Sequence, residues 1–227
     1  MAKIKLLSTK KLNPAIASNL QDSGIEITEK EFIRVQPVNL ETDLPVLSSN
    51  DIIIFTSQNA VIHYPVKLQH PVNVCCTSGE TKAAVQKKFP DAIILATADN
   101  AADLAQKIIS FQPEHVLFVC GDKRRYELPD ALRNNNIRIT ELIVYTTTET
   151  PVQLNEDFDA ILFFSPSAVR SFFKLNVLKS NAVLFAIGKT TANTIKEFCS
   201  NETITSDYPD QEHLVKKVRS RFSLSHC

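Results

Sequence analysis

The sequence predicts an α/β protein with parallel sheets, and two observations lead to that prediction. Short apolar runs alternate with amphipathic stretches from one end of the chain to the other. Continuous apolar runs are typical of parallel strands that helices cover on both faces. In addition, the chain of 227 residues is internally duplicated, which indicates two α/β units of similar build.

The predicted strands are Ile4–Leu7, Ile52–Phe55, Val72–Cys76, Ile93–Leu95, Val116–Cys120, Ile161–Phe164, Val183–Ile187 and Thr203–Thr205. The predicted helices are Asn13–Ser23, Glu80–Phe89, Ala101–Phe111, Tyr126–Asn134, Ala168–Leu175, Thr191–Phe198 and Gln211–Arg221. The first helix is bracketed by local chemistry. Asn13 before Pro14 is a favourable N-cap, and Gly24 suits the left-handed residue that ends a helix.

Three blocks of the first half recur in the second half in the same order. Asp51–Val61 matches Asp159–Val169 at an offset of 108 residues, Gly79–Phe89 matches Gly188–Phe198 at 109, and Leu20–Glu29 matches Leu132–Glu141 at 112. In the last block Asn136 replaces Gly24, and asparagine is the side chain that best tolerates a left-handed backbone. The nearly constant offsets argue against chance matches and for two similar halves.

Composition excludes several classes of protein. Twenty-five basic residues balance 25 acidic residues, so no overall field would attract nucleic acid or anionic lipid. No segment approaches the ~20 apolar residues of a membrane-spanning helix, and no signal peptide is recognisable. Five cysteines, of which Cys227 is the last, are typical of the reduced cytosol. We therefore expect a cytoplasmic protein that binds neither membrane nor nucleic acid.

The sequence lacks the usual motifs for cofactors and metals. Its four glycines, at positions 24, 79, 121 and 188, never cluster, so neither the dinucleotide-binding turn nor the phosphate-binding loop is present. The histidines show no HxxxH spacing and the cysteines no CxxC spacing. We therefore predict no cofactor and no metal.

Hydroxyl-rich turns follow several predicted strands, where parallel α/β sheets bind ligands and where helix N–H groups bind carboxylates. The predicted substrate-binding residues are Thr56, Ser57 and Asn59 after one strand, Ser165 and Ser167 after its repeat, and Gly188, Lys189, Thr190 and Thr191 after a third. Simple N-capping would also explain hydroxyls at such positions, and the sequence leaves both interpretations open.

Two extended stretches, residues 30–38 and 141–150, are rich in β-branched side chains. They could pair as a two-stranded connector, or they could be unrelated edge strands. Pairing would mean that the chain leaves one domain early and returns to it late.

The motifs together resemble the uroporphyrinogen III synthase family. The run FTSQNAV, the segment GDKRRYELPDAL, the strand IVYTT, the turn FFSPSAV and AIGKTTA occur in the order and spacing of that family. One departure concerns the first strand, which usually ends there in a Thr-Arg-Pro turn. Here the turn is Ser8-Thr9-Lys10, so that Lys10 or Lys11 would replace the family's arginine.

The resemblance implies two similar flavodoxin-like domains joined by a two-stranded β connector. Residues 1–34 and 148–227 would form one discontinuous domain, residues 38–144 the other, and 35–37 with 145–147 the connector strands. It also implies a reaction without a cofactor in haem biosynthesis. The linear tetrapyrrole hydroxymethylbilane would close to uroporphyrinogen III, with inversion of the terminal pyrrole ring and loss of water.

By the same resemblance, Tyr145 is the catalytic residue, because its phenol would protonate or position the departing hydroxyl. Arg125 falls where the family segment has an arginine and would bind a substrate carboxylate, with Lys123 and Arg124 as further candidates. The competing explanations are that Tyr145 packs a domain edge and that Arg125 belongs to a solvated helix start.

Other functions stay open on the sequence alone. A cytosolic two-domain protein could bind a small anion without catalysis, and a sugar transferase could have two α/β domains but should show glycine-rich turns. For the synthase we expect a monomer that could receive its substrate by transient handover from hydroxymethylbilane synthase.

Overall fold

The computed structural model describes residues 4–40, 45, 48, 51–65, 71–179 and 181–222. Cys227 lies outside these residues. The chain divides into two compact units. Unit 1 comprises residues 1–34 and 148–227, and unit 2 comprises residues 35–147, so that the chain leaves unit 1 once and later returns to it.

In chain order the elements are β1 (Ile4–Ser8), α1 (Pro14–Asp22), β2 (Ile25–Glu29), β3 (Ile33–Pro37), β4 (Ile52–Phe55), α2 (Gln58–His63), β5 (Asn73–Thr77), α3 (Glu80–Lys88), β6 (Ile93–Ala98), α4 (Ala101–Ser110), β7 (His115–Gly121), α5 (Glu127–Asn134), β8 (Arg138–Glu149), β9 (Ala160–Phe163), α6 (Pro166–Phe173), β10 (Val183–Ala186), α7 (Lys189–Lys196), β11 (Thr203–Thr205) and α8 (Gln211–Arg221). This alternation of strands and helices confirms the predicted α/β class.

The chemistry at helix ends behaves as the sequence predicts. Asn13 Oδ1 accepts the N–H of Ala15 at 2.9 Å, and Pro14 is the first residue of α1. Gly24 has φ +84°, and its repeat Asn136 has φ +59°. Both residues therefore adopt the left-handed conformation that ends a helix.

The strands of unit 1 form one parallel sheet in the order β11-β10-β9-β1-β2. Counted within the unit, this is the flavodoxin-like order 2-1-3-4-5 read from the other edge. Helices α6 and α7 pack on one face of the sheet, and α1 and α8 pack on the other face. The direction of winding reverses between β1 and β9, and such reversal points are where sheets of this kind bind ligands.

The sheet of unit 2 has the order β3-β8-β7-β4-β5-β6, and the strands β4 to β8 pair with one another in parallel. Helices α2 and α3 cover one face, and α4 and α5 cover the other. By the sequence repeat, β7 and β8 correspond to β1 and β2, while β4, β5 and β6 correspond to β9, β10 and β11. The two units therefore share one strand order, and each combines the first part of one repeat with the second part of the other.

Strand β3 pairs with the end of β8. The N–H of Val38 donates to the carbonyl oxygen of Val144 at 3.0 Å, and the N–H of Thr150 donates to that of Phe32 at 2.9 Å. From the first bond to the second, the residue number falls from 38 to 32 on the β3 side and rises from 144 to 150 on the β8 side, so the pairing is antiparallel. Of the two arrangements that the sequence left open for these stretches, the structure shows the paired one.

Some element boundaries differ from the sequence prediction. Helices α6 and α7 begin two residues earlier than predicted, because Ser165 and Gly188 occupy their N-cap positions. The sequence analysis did not predict β2 or α2. Helix α2 has six residues, which is too short for a periodic apolar pattern to be recognised.

Two absences hold for the residues that the structure describes. None of their helices has the length and apolar composition that crossing a membrane requires. The same residues contain no group of three His, Cys, Asp or Glu side chains that could hold a metal ion.

Candidate active site

In unit 2 the predicted turn residues lie at the carboxyl edge of the sheet. Ser57 follows β4 and is the N-cap of α2, where its Oγ accepts the N–H of Asn59 at 3.2 Å. Its neighbours Thr56 and Asn59 are partly exposed. Because β4 lies beside β7 at the point where the winding reverses, this turn occupies the ligand-binding position of a parallel sheet.

The side chain of Tyr145 reaches this turn from β8. Its phenol donates a hydrogen bond to Ser57 Oγ at 3.2 Å. Since the N–H of Asn59 is a second donor to the same oxygen, both acceptor positions of Ser57 are used, and its own proton remains to be donated outward. The pair therefore presents neutral hydroxyl groups that can hydrogen-bond a ligand oxygen.

Gly121 makes room for the phenol. It ends β7, the strand between β8 and β4, and it stands in register with Tyr145. A Cβ atom on Gly121 would lie 2.4 Å from Cζ of Tyr145 and 2.8 Å from its hydroxyl oxygen. Any larger residue would displace the ring, so the close approach requires glycine here.

The backbone around Tyr145 is held by the loop after β7. The N–H of Asp122 donates to the carbonyl oxygen of Tyr145 at 3.1 Å, and Asp122 Oδ1 accepts the N–H of Thr147 at 2.8 Å. The ring of His63 lies beside the phenol, with 6.0 Å between the ring centres. These contacts hold the strand on both sides of the tyrosine.

Burial raises the pKa of Tyr145 above its usual value of 10.0, and the hydrogen bond with Ser57 offsets only part of that rise. The phenol is therefore neutral at physiological pH. A neutral phenol with a raised pKa is a weak acid, so hydrogen bonding to a leaving oxygen suits it better than complete proton transfer.

Arg124, one of the basic residues after β7, is used by the fold. Its Nε donates to Glu141, which also accepts from Arg133, and its guanidinium lies 5.1 Å from the ring centre of Tyr126. Burial opposes ionisation of Glu141, but the two guanidinium groups outweigh burial and hold its pKa below the usual value. Arg124 therefore has a structural role.

Arg125 and Lys123 remain accessible to a ligand. The side chain of Arg125 is 47% exposed, and its guanidinium lies 3.6 Å from the carboxylate of Glu127. Lys123 is exposed as well. An exposed ion pair of this kind contributes little stability, so a substrate carboxylate could displace Glu127 at small cost.

In unit 1 the repeat of Ser57 is Ser165, the N-cap of α6. Its Oγ accepts the N–H of Ala168 at 3.1 Å. Ser167, in the first turn of the helix, is buried. The repeat of Tyr145 is Ile33, since 145 − 112 = 33, and Ile33 packs against the core of unit 1. The turn of unit 1 therefore has no phenol partner from this position.

The turn after β10 presents an uncapped helix start. Gly188 is the N-cap of α7 and has an extended φ of −175°, with nothing within 4 Å of where a Cβ would lie. Neither backbone conformation nor packing demands glycine at this position. Lys189 is exposed and Thr190 is partly exposed, whereas Thr191 is only 3% exposed. The first N–H groups of α7, Lys189 and Thr190 are the parts of this turn that a ligand can reach.

The turn after β1 is the one that departs from the family pattern. Ser8 Oγ donates to the carbonyl oxygen of Lys10 at 2.5 Å, and Thr9 Oγ1 donates to that of Leu162 at 2.8 Å. The ammonium group of Lys10 lies 5.9 Å from the ring centre of Phe164. Ser8 and Thr9 are buried and stabilise the turn, so Lys10 is the residue of this motif that can meet a ligand.

The sequence analysis overlooked the turn after β5. Thr77 Oγ1 donates to Thr81 Oγ1 at 3.0 Å, and Gly79, with φ +67°, begins α3 without a side-chain cap. Gly79 is the repeat of Gly188, since 188 − 79 = 109, so the duplication itself contained the signal. Gly121 and Asp122 were also overlooked, because their roles depend on a contact with Tyr145 across neighbouring strands.

Comparison of sequences connects this arrangement with known proteins. The model of a family described as uroporphyrinogen-III synthase HemD matches residues 14–216, which include Tyr145, Arg125 and the three predicted hydroxyl-rich turns. An uncharacterized protein of Rickettsia prowazekii (strain Madrid E) is 25% identical over 170 residues, covering 75% of this chain and 55% of the Rickettsia protein. This chain thus spans about half the length of that curated relative.

Two crystal structures have a similar fold. Uroporphyrinogen-III synthetase from Helicobacter pylori 26695 has a TM-score of 0.69 at 16% sequence identity, covering 97% of this chain and 100% of that chain. A mutant uroporphyrinogen III synthase from the extremely thermophilic bacterium Thermus thermophilus has a TM-score of 0.63 at 13% identity, covering 97% and 98% of the two chains. At such low identities these structures support the fold, and the family match is separate evidence.

Proposed function

Because the chain belongs to the uroporphyrinogen-III synthase family, we propose that it converts hydroxymethylbilane to uroporphyrinogen III, with inversion of the terminal pyrrole ring and loss of water. The family match over residues 14–216 is the observation that carries this proposal. The phenol of Tyr145, hydrogen-bonded to Ser57 at a ligand-binding edge, supports it.

Tyr145 has the chemical character that this reaction requires. Loss of the hydroxyl from an electron-rich pyrrole is intrinsically easy, so a weak, neutral donor is sufficient. The phenol of Tyr145 turns its proton from Ser57 to the departing oxygen, and the carbon–oxygen bond breaks. A new carbon–carbon bond then forms at the substituted carbon of the terminal pyrrole, the older bond from that carbon to its methylene bridge breaks, and the methylene reattaches at the unsubstituted carbon on the other side of the ring nitrogen. That carbon loses its proton, which balances the proton that the departing hydroxide takes up to leave as water. Positioning the flexible chain for that attack is the larger part of catalysis.

Each unit offers groups that suit the carboxylates of the substrate. In unit 1 the uncapped N–H groups of α7, Lys189 and Thr190 supply donors and a positive charge. In unit 2 the corresponding group is the guanidinium of Arg125. The remaining predicted binding residues are Thr56, Ser57, Asn59, Ser165, Ser167, Gly188 and Thr191, which shape these turns or add hydroxyl donors.

We further propose that the enzyme acts as a cytoplasmic monomer, without a cofactor, and receives its substrate by transient handover from hydroxymethylbilane synthase. Because the net charge is zero, the substrate would be bound by individual groups at the turns and would not be attracted by a strong overall field. A non-catalytic small-anion binder is the less favoured alternative, because the family that matches residues 14–216 is a family of synthases.

The product isomer tests the proposal. Hydroxymethylbilane closes by itself in water to the symmetrical type I ring. Incubating the purified chain with freshly generated hydroxymethylbilane, oxidising the products and separating the isomers should give mainly type III. Added chelator should not change this result. A folded preparation that leaves the type I yield unchanged would reject the proposed function.

A further inference from the structure

A loop of unit 1 crosses the carboxyl edge of its sheet between β11 and α8. The first residue of the loop, Ser206, follows β11 and lies beside the end of β10, where its N–H donates to the carbonyl oxygen of Ala186 at 2.9 Å. It ends beside the turn after β1, where Gln211 Oε1 accepts the N–H of Asn13 at 2.8 Å. Since β9 lies between β10 and β1 in the sheet, the two ends of the loop lie on either side of the strand that leads to Ser165.

His213 is oriented at the end of this loop by Asp210. The carboxylate of Asp210 accepts the backbone N–H of His213 at 2.8 Å and lies 2.8 Å from Nδ1 of the imidazole. Because an ionised carboxylate can only accept, Nδ1 carries the ring proton, and Nε2 is the nitrogen left for another partner. The side chain of His213 is 31% exposed, so Nε2 belongs to a ring that solvent can reach.

An exposed tyrosine completes this arrangement. The ring centre of Tyr208 lies 4.6 Å from that of His213, and Tyr208 is 50% exposed. Its carbonyl oxygen accepts from Ser206 Oγ at 2.6 Å and from the N–H of Asp210 at 2.9 Å, so the backbone that carries the ring is held. The two rings present an aromatic surface beside an imidazole nitrogen.

The equivalent position of unit 2 holds an acidic residue instead of a histidine. In unit 2 the equivalent helix α4 begins at the N-cap Asn100, whose Oδ1 accepts the N–H of Asp103 at 2.9 Å. Asp103 and His213 are equivalent, since 213 − 103 = 110 and the two helices begin at residues 101 and 211. The positive end of the helix dipole favours an acidic residue such as Asp103 and disfavours an imidazolium.

We propose that His213 and Tyr208 form a binding site for one carboxylate-bearing pyrrole ring of the substrate. Nε2 of the imidazole accepts the N–H of the pyrrole, and the face of Tyr208 contacts the pyrrole ring. Asp210 is a positioning residue that holds the imidazole through Nδ1. This assignment rests on the proposed function, because the ligand chemistry is that of hydroxymethylbilane.

Steady-state kinetics of two matched variants test the site. His213→Ala should raise KM for hydroxymethylbilane by several-fold to about tenfold, because one hydrogen bond to the pyrrole ring is lost, while kcat and the type III product are retained. The control is Arg221→Ala, which removes an ion pair with Glu202 (2.9 Å) at the other end of the same helix. Its KM should equal that of the wild type.

The role of Asp210 has a separate readout. Serine is also a good N-cap, so Asp210→Ser keeps the start of α8 and removes only the carboxylate that orients the imidazole. Its KM should rise, and the double variant with His213→Ala should be no worse than His213→Ala alone. Additive losses in the double variant would show that Asp210 does not act through His213.

The outcomes separate this inference from the proposed function. If the wild-type chain forms no type III product, the proposed function fails. If the wild type is active and His213→Ala has the KM of Arg221→Ala, the His213 site is overturned. If His213→Ala fails to fold, a variant of the exposed residue Tyr208 tests the same site. Tyr208→Ala should raise KM about threefold by loss of the ring contact, and an unchanged KM would reject the site.

Discussion

Tyr145 in unit 2 and Ile33 in unit 1 are equivalent in the sequence repeat, yet only the tyrosine reaches a hydroxyl-rich turn. Ile33 packs into the core of its unit. Likewise Gly121, which leaves space for the phenol, corresponds to Thr9, whose buried hydroxyl bonds to the carbonyl oxygen of Leu162. The two units therefore share one architecture, but only unit 2 has a phenol at this position of the repeat.

Helices α3 and α7 both start without a side-chain cap, and here unit 1 has the glycine that the backbone does not require. Gly79 of unit 2 has φ +67°, a conformation that favours glycine, whereas its repeat Gly188 in unit 1 has an extended φ and open space around it. A residue with a side-chain cap could occupy position 188, and glycine there leaves the N–H groups of α7 free to bind an anion. The units therefore divide the work in our account, with leaving-group chemistry in unit 2 and much of the carboxylate binding in unit 1.

The largest expected effect comes from the glycine that only unit 2 requires. Gly121→Ala places a Cβ within 2.4 Å of the Tyr145 ring, so the ring must move away from Ser57. Turnover should fall about 10²-fold, because positioned hydrogen bonding to the leaving oxygen is lost. The displaced group is the end of a side chain, so the variant should still fold, as circular dichroism and thermal melting would show.

Gly188→Ala is the matched control in unit 1. Its Cβ meets nothing within 4 Å and the extended backbone accepts any residue, so the free energy of unfolding should fall by no more than about 1 kcal/mol, the difference between glycine and alanine at an N-cap. If both alanine variants retain full turnover, Tyr145 does not need its observed position, and the contrast between the units loses its functional meaning.

A second contrast concerns how the two units stabilise equivalent helix ends. In unit 2 the ammonium group of Lys88 donates to three carbonyl oxygens at the end of α2, those of Val61, Ile62 and Tyr64. In unit 1 the amide of Asn176 donates to the carbonyl oxygens of Val152 and Phe172 instead. Lys88→Met should therefore lower the free energy of unfolding by about 2 kcal/mol, since the carbonyls lose a charged donor.

The repeat supplies the control for Lys88. Its equivalent in unit 1 is Glu197, since 88 + 109 = 197, and Glu197 is exposed. Glu197→Met should change the free energy of unfolding by less than about 0.5 kcal/mol in urea titration. Equal losses for the two methionine variants would show that Lys88 is a surface lysine without a special role.

The cysteines should distinguish the units with no effect on activity. In unit 2, burial raises the pKa of Cys75 and Cys120 to about 12 and that of Cys76 to about 11, whereas Cys199 in unit 1 is partly exposed. At pH 8 the buried thiols should resist iodoacetamide until the protein unfolds, and among the four cysteines that the structure describes Cys199 should react first, as peptide mass spectrometry would show. Because the folded pKa values exceed the ordinary 9.0, these thiols should favour the fold below about pH 9 and less so above it. Rapid alkylation of Cys75 in the native state would contradict the buried core.

Much of the fold could be predicted because its signals are local. The continuous apolar run of β4 and its repeat in β9 predict parallel strands, and Asn13, Gly24 and Asn136 mark helix ends by their own conformational preferences. These signals could not predict that each unit combines strands from both sequence repeats. It depends on which strands pair, and periodicity within one strand contains no information about its neighbours.

The candidate site was predictable in its residue types but not in its contacts. The resemblance indicated Tyr145 and Ser57, yet their hydrogen bond joins residues 88 positions apart and passes over Gly121. Arg124 was predicted as a further candidate for carboxylate binding, and its bond to Glu141 shows a role in the fold. In each case the decisive fact is the register of neighbouring strands, which only the folded chain specifies.

One pair of variants tests the division of work between the units most directly. Tyr145→Phe removes the phenol hydroxyl of unit 2, and Thr190→Val removes an accessible hydroxyl of unit 1 at constant size. With hydroxymethylbilane as substrate, Tyr145→Phe should lower kcat about ten- to 100-fold with KM nearly unchanged. Thr190→Val should raise KM several-fold with kcat nearly unchanged, since one hydrogen bond contributes ~0.5–1.5 kcal/mol. If Tyr145→Phe changes only KM, or if Thr190→Val lowers kcat as much as Tyr145→Phe does, the account is contradicted.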